Sequence, residues 1–494
     1  MKHSHGAIGL LLALQLGAGW ALAAPADAYQ TELRRAAQML QRRQWPQALR
    51  ALEGMMKKYK DPAQVKEMAG HLIDCHLQMK AYGKALDEVT RRAALGKDDK
   101  DFASRLLLLR GDALRGLTKS AEAIAAYRQV AKDYTDYPDR GADALLRAAD
   151  VYATDLKKGP EALAVLAEVE KTYAANLPRA AEAARRAAGV HETLTKDLVK
   201  AAALYQSLCT KYAAVHNEQT LHGYYTKAAG CLVAAKKLPE AQAVAAQGEK
   251  ALKTDQYRVP LALQQPDLLI AQKKFPLARA ECDRIICTYP LNAGACQPAQ
   301  AKVVEAWRAQ SKFAEALGAA RILYGAAGSQ RDIQAAAHVV AQGFRSVDGN
   351  LSRANQFLAF QRFGTLGPDR KPNTADDLKV NHLVAAPLPP ADPARDKRFQ
   401  AAIAAQAKTH EGYRATGYLY IYWGRFKEGA QTFRMAFRSC PDAGVPQAAH
   451  ELVLVGMKAY TGTFAGLDRV FEFISYGPKG KDGKQNIPDP FKGL

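Results

Sequence analysis

Apolar positions along most of the chain recur three and four residues apart, the spacing that gathers them on one face of an α-helix. Gln64 to Met79 shows this pattern, and Ala121 to Tyr134 shows it again. Between such stretches a short motif returns: an aromatic, Leu or turn residue, then Ala three positions on. Trp45 leads Ala48, Tyr82 leads Ala85, Ser120 leads Ala123, Gly159 leads Ala162, Leu198 leads Ala201, Leu238 leads Ala241, Phe275 leads Ala278 and Phe313 leads Ala316. These alanines step by 37, 38, 39, 39, 40, 37 and 38 residues. Phe426 with Gly429 continues the motif after a gap. A period near 38 over most of the chain marks stacked repeats in which each unit buries its apolar face only against its neighbours.

Each unit reads as a pair of helices, one before the motif and one after it. Tyr59, Tyr134, Tyr173, Tyr212 and Tyr289 fall near the end of the second helix, and Pro62, Pro138, Pro178 and Pro290 follow soon after. Proline cannot continue a helix but starts one well. The small Ala lets two helices approach closely, and the aromatic fills the space beside it.

With those residues in view the unit resembles the tetratricopeptide repeat (TPR). The best matches are Arg110-Gly111-Asp112-Ala113 with Ala123, Ile124 and Tyr127, and Thr416-Gly417-Tyr418-Leu419-Tyr420 with Gly424, Phe426 and Gly429. The resemblance covers about residues 30–364 and 398–476 and implies an all-α, TPR-like α-solenoid of about 10 to 11 antiparallel helix pairs in a right-handed superhelix. The usual repeat has 34 residues, so the turns here are longer. Units of this length, rich in Tyr and Pro, are similar to the TPR proteins of bacterial cell envelopes, and that likeness implies a scaffold for protein partners.

The flanks set the domain organisation. Lys2 and a run of small and apolar residues from Ala7 to Ala23 predict a secretory signal peptide over residues 1–23, hence export to the periplasm or beyond. Repeats fill 24–364. Residues 365–397 hold Pro387, Pro389, Pro390 and Pro393 with many polar residues, and read as a long surface loop. Asp369, Asn373, Asp376 and Asp377 in it offer oxygen ligands, but their spacing is not that of an EF-hand; a solvated turn with an Asp helix cap is the plainer reading. Further helix pairs occupy 398–476, and 477–494 is a basic tail. No later stretch has the 18 apolar residues of a membrane span.

Charge changes the picture of partners. The chain carries 69 Lys and Arg against 49 Asp and Glu, a net charge of +20. Such a surface attracts anions; with export, nucleic acid is not the expected one, and an anionic cell-wall polymer or lipopolysaccharide becomes the alternative partner to a protein or extended peptide.

Catalytic patterns are missing. There is no GxSxG, HExxH, P-loop or GxGxxG sequence, nor the Glu-Ser and Gly-Leu-Met-Gln stretches of the soluble lytic transglycosylases, which also carry helix pairs. His71 and His76 are five apart, not the four that would share a metal on one helix face. The seven cysteines form no CxxC and read as packing residues. Cys282 and Cys287 point apart on one helix; Cys287–Cys296, across the Tyr289-Pro290 turn, is the one local disulfide worth considering. No cofactor, metal or catalytic residue is expected.

The candidate site comes from the resemblance. In TPR proteins the first helix of each pair lines the concave groove, and a polar residue before the small Ala position contacts bound peptide. Carried over, this gives Asp74, Asp112 and Asp150, spaced by 38 and 38, and then Asp267 and Glu305, again 38 apart. The resemblance thus implies a ladder of carboxylate acceptors for an extended or basic peptide, and puts Cys75 and Cys231 at the small packing position.

Overall fold

The computed structural model describes residues 25–363, 382–441, 445–462, 470 and 472–473. The expected signal peptide, basic tail and candidate calcium ligands lie outside them. The described residues are overwhelmingly helical and include no β-strand. The chain divides into two units, residues 1–215 and 216–494.

Unit 1 consists of α1 (Pro25–Gln41), α2 (Trp45–Lys58), α3 (Pro62–Gln78), α4 (Tyr82–Arg92), α5 (Lys100–Gly116), α6 (Ser120–Asp133), α7 (Pro138–Asp150), α8 (Gly159–Thr172), α9 (Leu177–Val190) and α10 (Leu198–Thr210). Helices α7 and α9 each run on through a π-helical turn, Val151–Asp155 and His191–Thr195. Every helix packs on the next in sequence, and the first helices α3, α5, α7 and α9 also pack on one another in that order. This is a TPR-like stack of helix pairs. Proline sits in the first turn of α2, α3, α7, α8 and α9, where its missing N–H costs no hydrogen bond. Asp61, Asp99, Asn176 and Asp197 cap α3, α5, α9 and α10 with their side chains.

The alanines that set the repeat are buried without exception across both units: Ala48, Ala85, Ala123, Ala162, Ala201, Ala241 and Ala278 are 0% exposed and Ala316 is 2% exposed. Gly111 explains why one first helix comes so close to its second helix: a Cβ there would lie 2.4 Å from the ring of Tyr127. The unit 1 core is strung along the stack in successive clusters rather than gathered at one centre, as expected when each pair contacts only its neighbours.

Unit 2 begins in the same way with α11 (Glu218–Ala234), α12 (Leu238–Ala251), α13 (Asp255–Ala271), α14 (Phe275–Thr288), α15 (Ala293–Arg308), α16 (Phe313–Ala326), α17 (Gln330–Asp348) and α18 (Ser352–Phe363). Then come α19 (His382–Ala385), α20 (Pro393–Ala404), α21 (His410–Trp423), α22 (Phe426–Arg438), α23 (Val445–Glu451) with a π-helical turn Leu452–Met457, and α24 (Lys458–Thr461). The expected 365–397 loop is therefore shorter at its C-terminal end: Asp392 caps α20, which already starts at Pro393.

The C-terminal helices do not simply extend the row of pairs. Helix α20 packs on α14, and α21 and α24 pack on α16, both second helices of earlier pairs. Buried Asp283 of α14 accepts from Arg395 at 3.2 Å and faces Arg398 at 3.5 Å. Arg395 also donates to the carbonyl of Tyr422 at 2.6 Å, at the end of α21. Lys458, 0% exposed, donates to the carbonyls of Tyr324 and Ala327 at the C-terminus of α16. These contacts gather most of unit 2 into one continuous core from Val259 to Val470. All seven cysteines are free thiols. The considered Cys287–Cys296 bond is not made; the Cys296 thiol instead donates to the Tyr289 carbonyl at 3.1 Å. Cys75 and Cys231 are buried packing residues.

Candidate functional site

In unit 1 the first helices α3, α5, α7 and α9 run side by side and carry Asp74, Asp112 and Asp150 at matching positions. The structure gives each a partner on the following first helix. Asp74 lies 3.8 Å from Arg105 of α5, Asp112 is ion-paired with Arg147 of α7, and Asp150 with Arg186 of α9. The expectation of free carboxylate acceptors is thus corrected: the ladder alternates acid and guanidinium. In unit 2, Asp267 of α13 pairs in the same way with Lys302 of α15, whereas Glu305 is exposed.

The three carboxylates differ in setting. Burial is the largest influence on Asp74 and pushes its pKa up, with Arg105 opposing. Asp150 is also raised by burial, with Arg186 opposing. Asp112 accepts a second hydrogen bond, 2.6 Å from the hydroxyl of fully buried Tyr127. Burial, then the Asp112 charge, raise the Tyr127 phenol well above its ordinary value. His71, one turn before Asp74, is lowered by burial and then by Arg105.

Further ion pairs join the same helices. Arg140 meets Asp101 at 2.9 Å, Arg179 meets Asp143 at 2.9 Å, and Arg115 meets Asp155 at 2.7 Å while donating to Thr154. Two clefts open among these groups. One of about 570 Å³ is bounded by Tyr82, Asp112, Arg115 and Asp155. The other, of about 460 Å³, is bounded by Tyr137, Arg140, Asp143 and Arg179. Ion-paired guanidinium and carboxylate groups keep spare N–H donors and oxygen lone pairs, so these surfaces offer both donors and acceptors in fixed directions. Among the described residues no three His, Cys, Asp or Glu side chains gather as metal ligands, and no helix is long and apolar enough to cross a membrane.

Sequence reasoning found the acids and missed their partners. The signal was present: Arg147, Arg186 and Lys302 follow their acids by 35, 36 and 35 residues. A search for basic residues two or three positions short of one repeat beyond each acid would have paired them.

No family model matches the chain, and no curated protein matches it. Among solved structures it is similar to a tetratricopeptide repeat protein from Parabacteroides merdae ATCC 43184, at 13% identity over 52% of this chain and 92% of that one, with a TM-score of 0.31. It is also similar to the apo form of the quorum sensor NprR from B. thuringiensis, at 13% identity over 67% and 96%, TM-score 0.27. A third is the TPR2AB domain of yeast Sti1 in its pHSP90 complex, at 17% identity over 64% and 100%, TM-score 0.23. The TPR-like architecture of the chain is carried by its helix pairing and its buried alanines.

Proposed function

We propose that the chain is an exported, non-catalytic scaffold of the bacterial envelope that holds an extended peptide or a segment of another protein along the first helices of unit 1. The observation that supports this is the alternating ladder of Asp74–Arg105, Asp112–Arg147 and Asp150–Arg186, whose members are all partly exposed. A peptide backbone needs a donor and an acceptor at each residue, and a ladder of paired charges supplies both. The partner this face fits is therefore an extended, mixed-charge or neutral segment rather than a purely basic one. Export is supported by Lys2 and the apolar run Ala7–Ala23.

Site-directed photocrosslinking in the producing cell tests the reading. A crosslinking residue at His71 or Arg105 is expected to capture a discrete partner. The same residue at Gln129, exposed on the second helix α6, is expected to capture none. Equal adducts from both faces would refute the groove, and recovery of all the protein in the cytoplasmic fraction would refute the envelope role.

A further inference from the structure

The turn from first to second helix contains one residue in the left-handed region in repeat after repeat. In unit 1 these residues are Arg43, Lys80, Thr118, Lys157 and Lys196; in unit 2 they are Lys236, Lys273 and Ser311, followed by Gly424. Their φ angles run from 56° to 62° at the non-glycine positions. A side chain there costs roughly 1–2 kcal/mol against the right-handed conformation, and Gly, or Asn, is the residue that normally fills it. The chain instead places Lys or Arg at six of the eight non-glycine positions.

All six cations are exposed. The residue after the left-handed one is often basic too, but there the charge is engaged: Lys119, Lys158 and Lys237 pair with Glu122, Glu161 and Glu240. Arg43, Lys80, Lys157, Lys196, Lys236 and Lys273 form no ion pair among the described residues. In antiparallel pairs stacked side by side, all first-to-second turns fall on one edge of the stack. In unit 1 that edge carries four unpaired cations in five turns, with neighbouring pairs roughly 10 Å apart.

We propose that this edge is a binding ridge for a linear polyanion. A cation beyond a helix C-terminus also complements the helix dipole, but that benefit falls on any basic residue of the last turn. It gives no reason to place the charge on the one residue whose backbone disfavours a side chain. A single file of charges suits a flexible anionic chain, which can follow it and gain from many weak contacts at once. The ridge lies at the turns rather than along the first helices and meets the groove at one place, where Lys157 acts on Asp155 at the edge of the cleft shared with Asp112 and Arg115.

The test measures binding of the full-length mature protein to polyphosphate, to poly-L-glutamate and to phosphatidylglycerol vesicles as functions of salt. Long polyphosphate is expected to bind roughly a hundredfold tighter per molecule than tripolyphosphate, with a steep loss of affinity as salt rises. Replacing Arg43, Lys80, Lys157 and Lys196 by Asn, which tolerates the left-handed turn, is expected to lower affinity roughly tenfold or more and flatten the salt dependence. The comparison protein carries Gln at Lys57, Lys97, Lys132 and Lys171, exposed residues near the opposite ends of the second helices. It loses the same number of charges and is expected to bind nearly as wild type. Binding of poly-L-glutamate through the same four residues would extend the ligand from phosphate to carboxylate polymers. Equal losses in the two variants would reduce the effect to net charge and overturn the ridge. So would chain-length-independent binding, or vesicle binding alone that depends on the four turn residues.

Discussion

Asp112 should be the most consequential rung of the unit 1 ladder for stability, and the expected cost can be worked from its contacts. Asp112→Ala removes the acceptor that the hydroxyl of Tyr127 has among the described residues, and the Tyr127 side chain is 0% exposed. Leaving a buried hydroxyl unsatisfied costs about 1–3 kcal/mol. The lost ion pair with Arg147 adds little, about 0–1 kcal/mol, because both groups are partly solvated and Arg147 keeps Asp143 at 3.2 Å. The sum is about 1–4 kcal/mol. Asp74→Ala breaks only a 3.8 Å pair whose side chains are 40% and 38% exposed, and should cost about 0–1 kcal/mol. Asp150→Ala should cost about 1 kcal/mol, since Arg186 retains Glu182 at 2.7 Å and the Leu146 carbonyl at 3.1 Å. Urea unfolding followed by circular dichroism, fitted with one transition per unit, measures the series. In a Tyr127→Phe background the hydroxyl is gone, so Asp112→Ala should lose about 1–3 kcal/mol of its effect. An Asp112→Ala cost within about 0.5 kcal/mol of Asp74→Ala, or no coupling to Tyr127→Phe, would refute the assignment of the cost to the buried hydroxyl.

Two other outcomes follow from burial and close approach. Gly111→Ala should destabilise by about 1–3 kcal/mol, because the new methyl meets the buried Tyr127 ring at 2.4 Å, whereas Gly70→Ala meets only the flexible guanidinium of Arg105 and should be neutral or stabilising by up to about 1 kcal/mol; thermal melting of both variants checks the contrast. Burial holds the Lys458 pKa well below its ordinary value, so over the interval between the two values the unfolded chain binds the extra proton and Lys458 contributes stability that grows as pH rises toward about 10, against the buried thiols of Cys282, Cys287 and Cys296, whose raised pKa values act in the opposite direction. Lys458→Met should remove that contribution, so that the change in urea midpoint from pH 7 to 9.5 is less favourable in the variant than in the wild type, and an identical change in both would remove Lys458 as a source.

The architecture was legible because one small residue per repeat must sit where two helices touch. A requirement imposed by contact distance leaves a periodic trace, and Ala48 through Ala316 kept it in the structure. The candidate acids were legible for the same reason. Their arginine partners were not, because a carboxylate read alone looks like an acceptor awaiting a ligand, and pairing it requires knowing which helix lies next to it. The folding back of α20 to α24 left no periodic trace at all. Gly417 approaches Phe433 as Gly111 approaches Tyr127, so the pair α21–α22 reads as one more repeat whichever neighbour it finds. What fixes its place is Arg395 on Asp283 and Lys458 on the α16 carbonyls, and such contacts depend on single residues far apart in sequence. The left-handed turns were hidden because the residue there is seldom Gly.

That folding back also sets a timetable for synthesis. Neighbouring pairs in unit 1 supply one another's contacts, so the stack can assemble in chain order, each finished pair serving as the template for the next. Unit 2 must wait. Asp283 is translated 112 residues before Arg395, and Tyr324 134 residues before Lys458. Until those residues arrive, the outer sides of α14 and α16 are bare apolar surface around an unneutralised carboxylate. At 5–20 residues per second the interval lasts roughly 6–27 s. During that time the incomplete C-terminal half is a natural client for a holding chaperone.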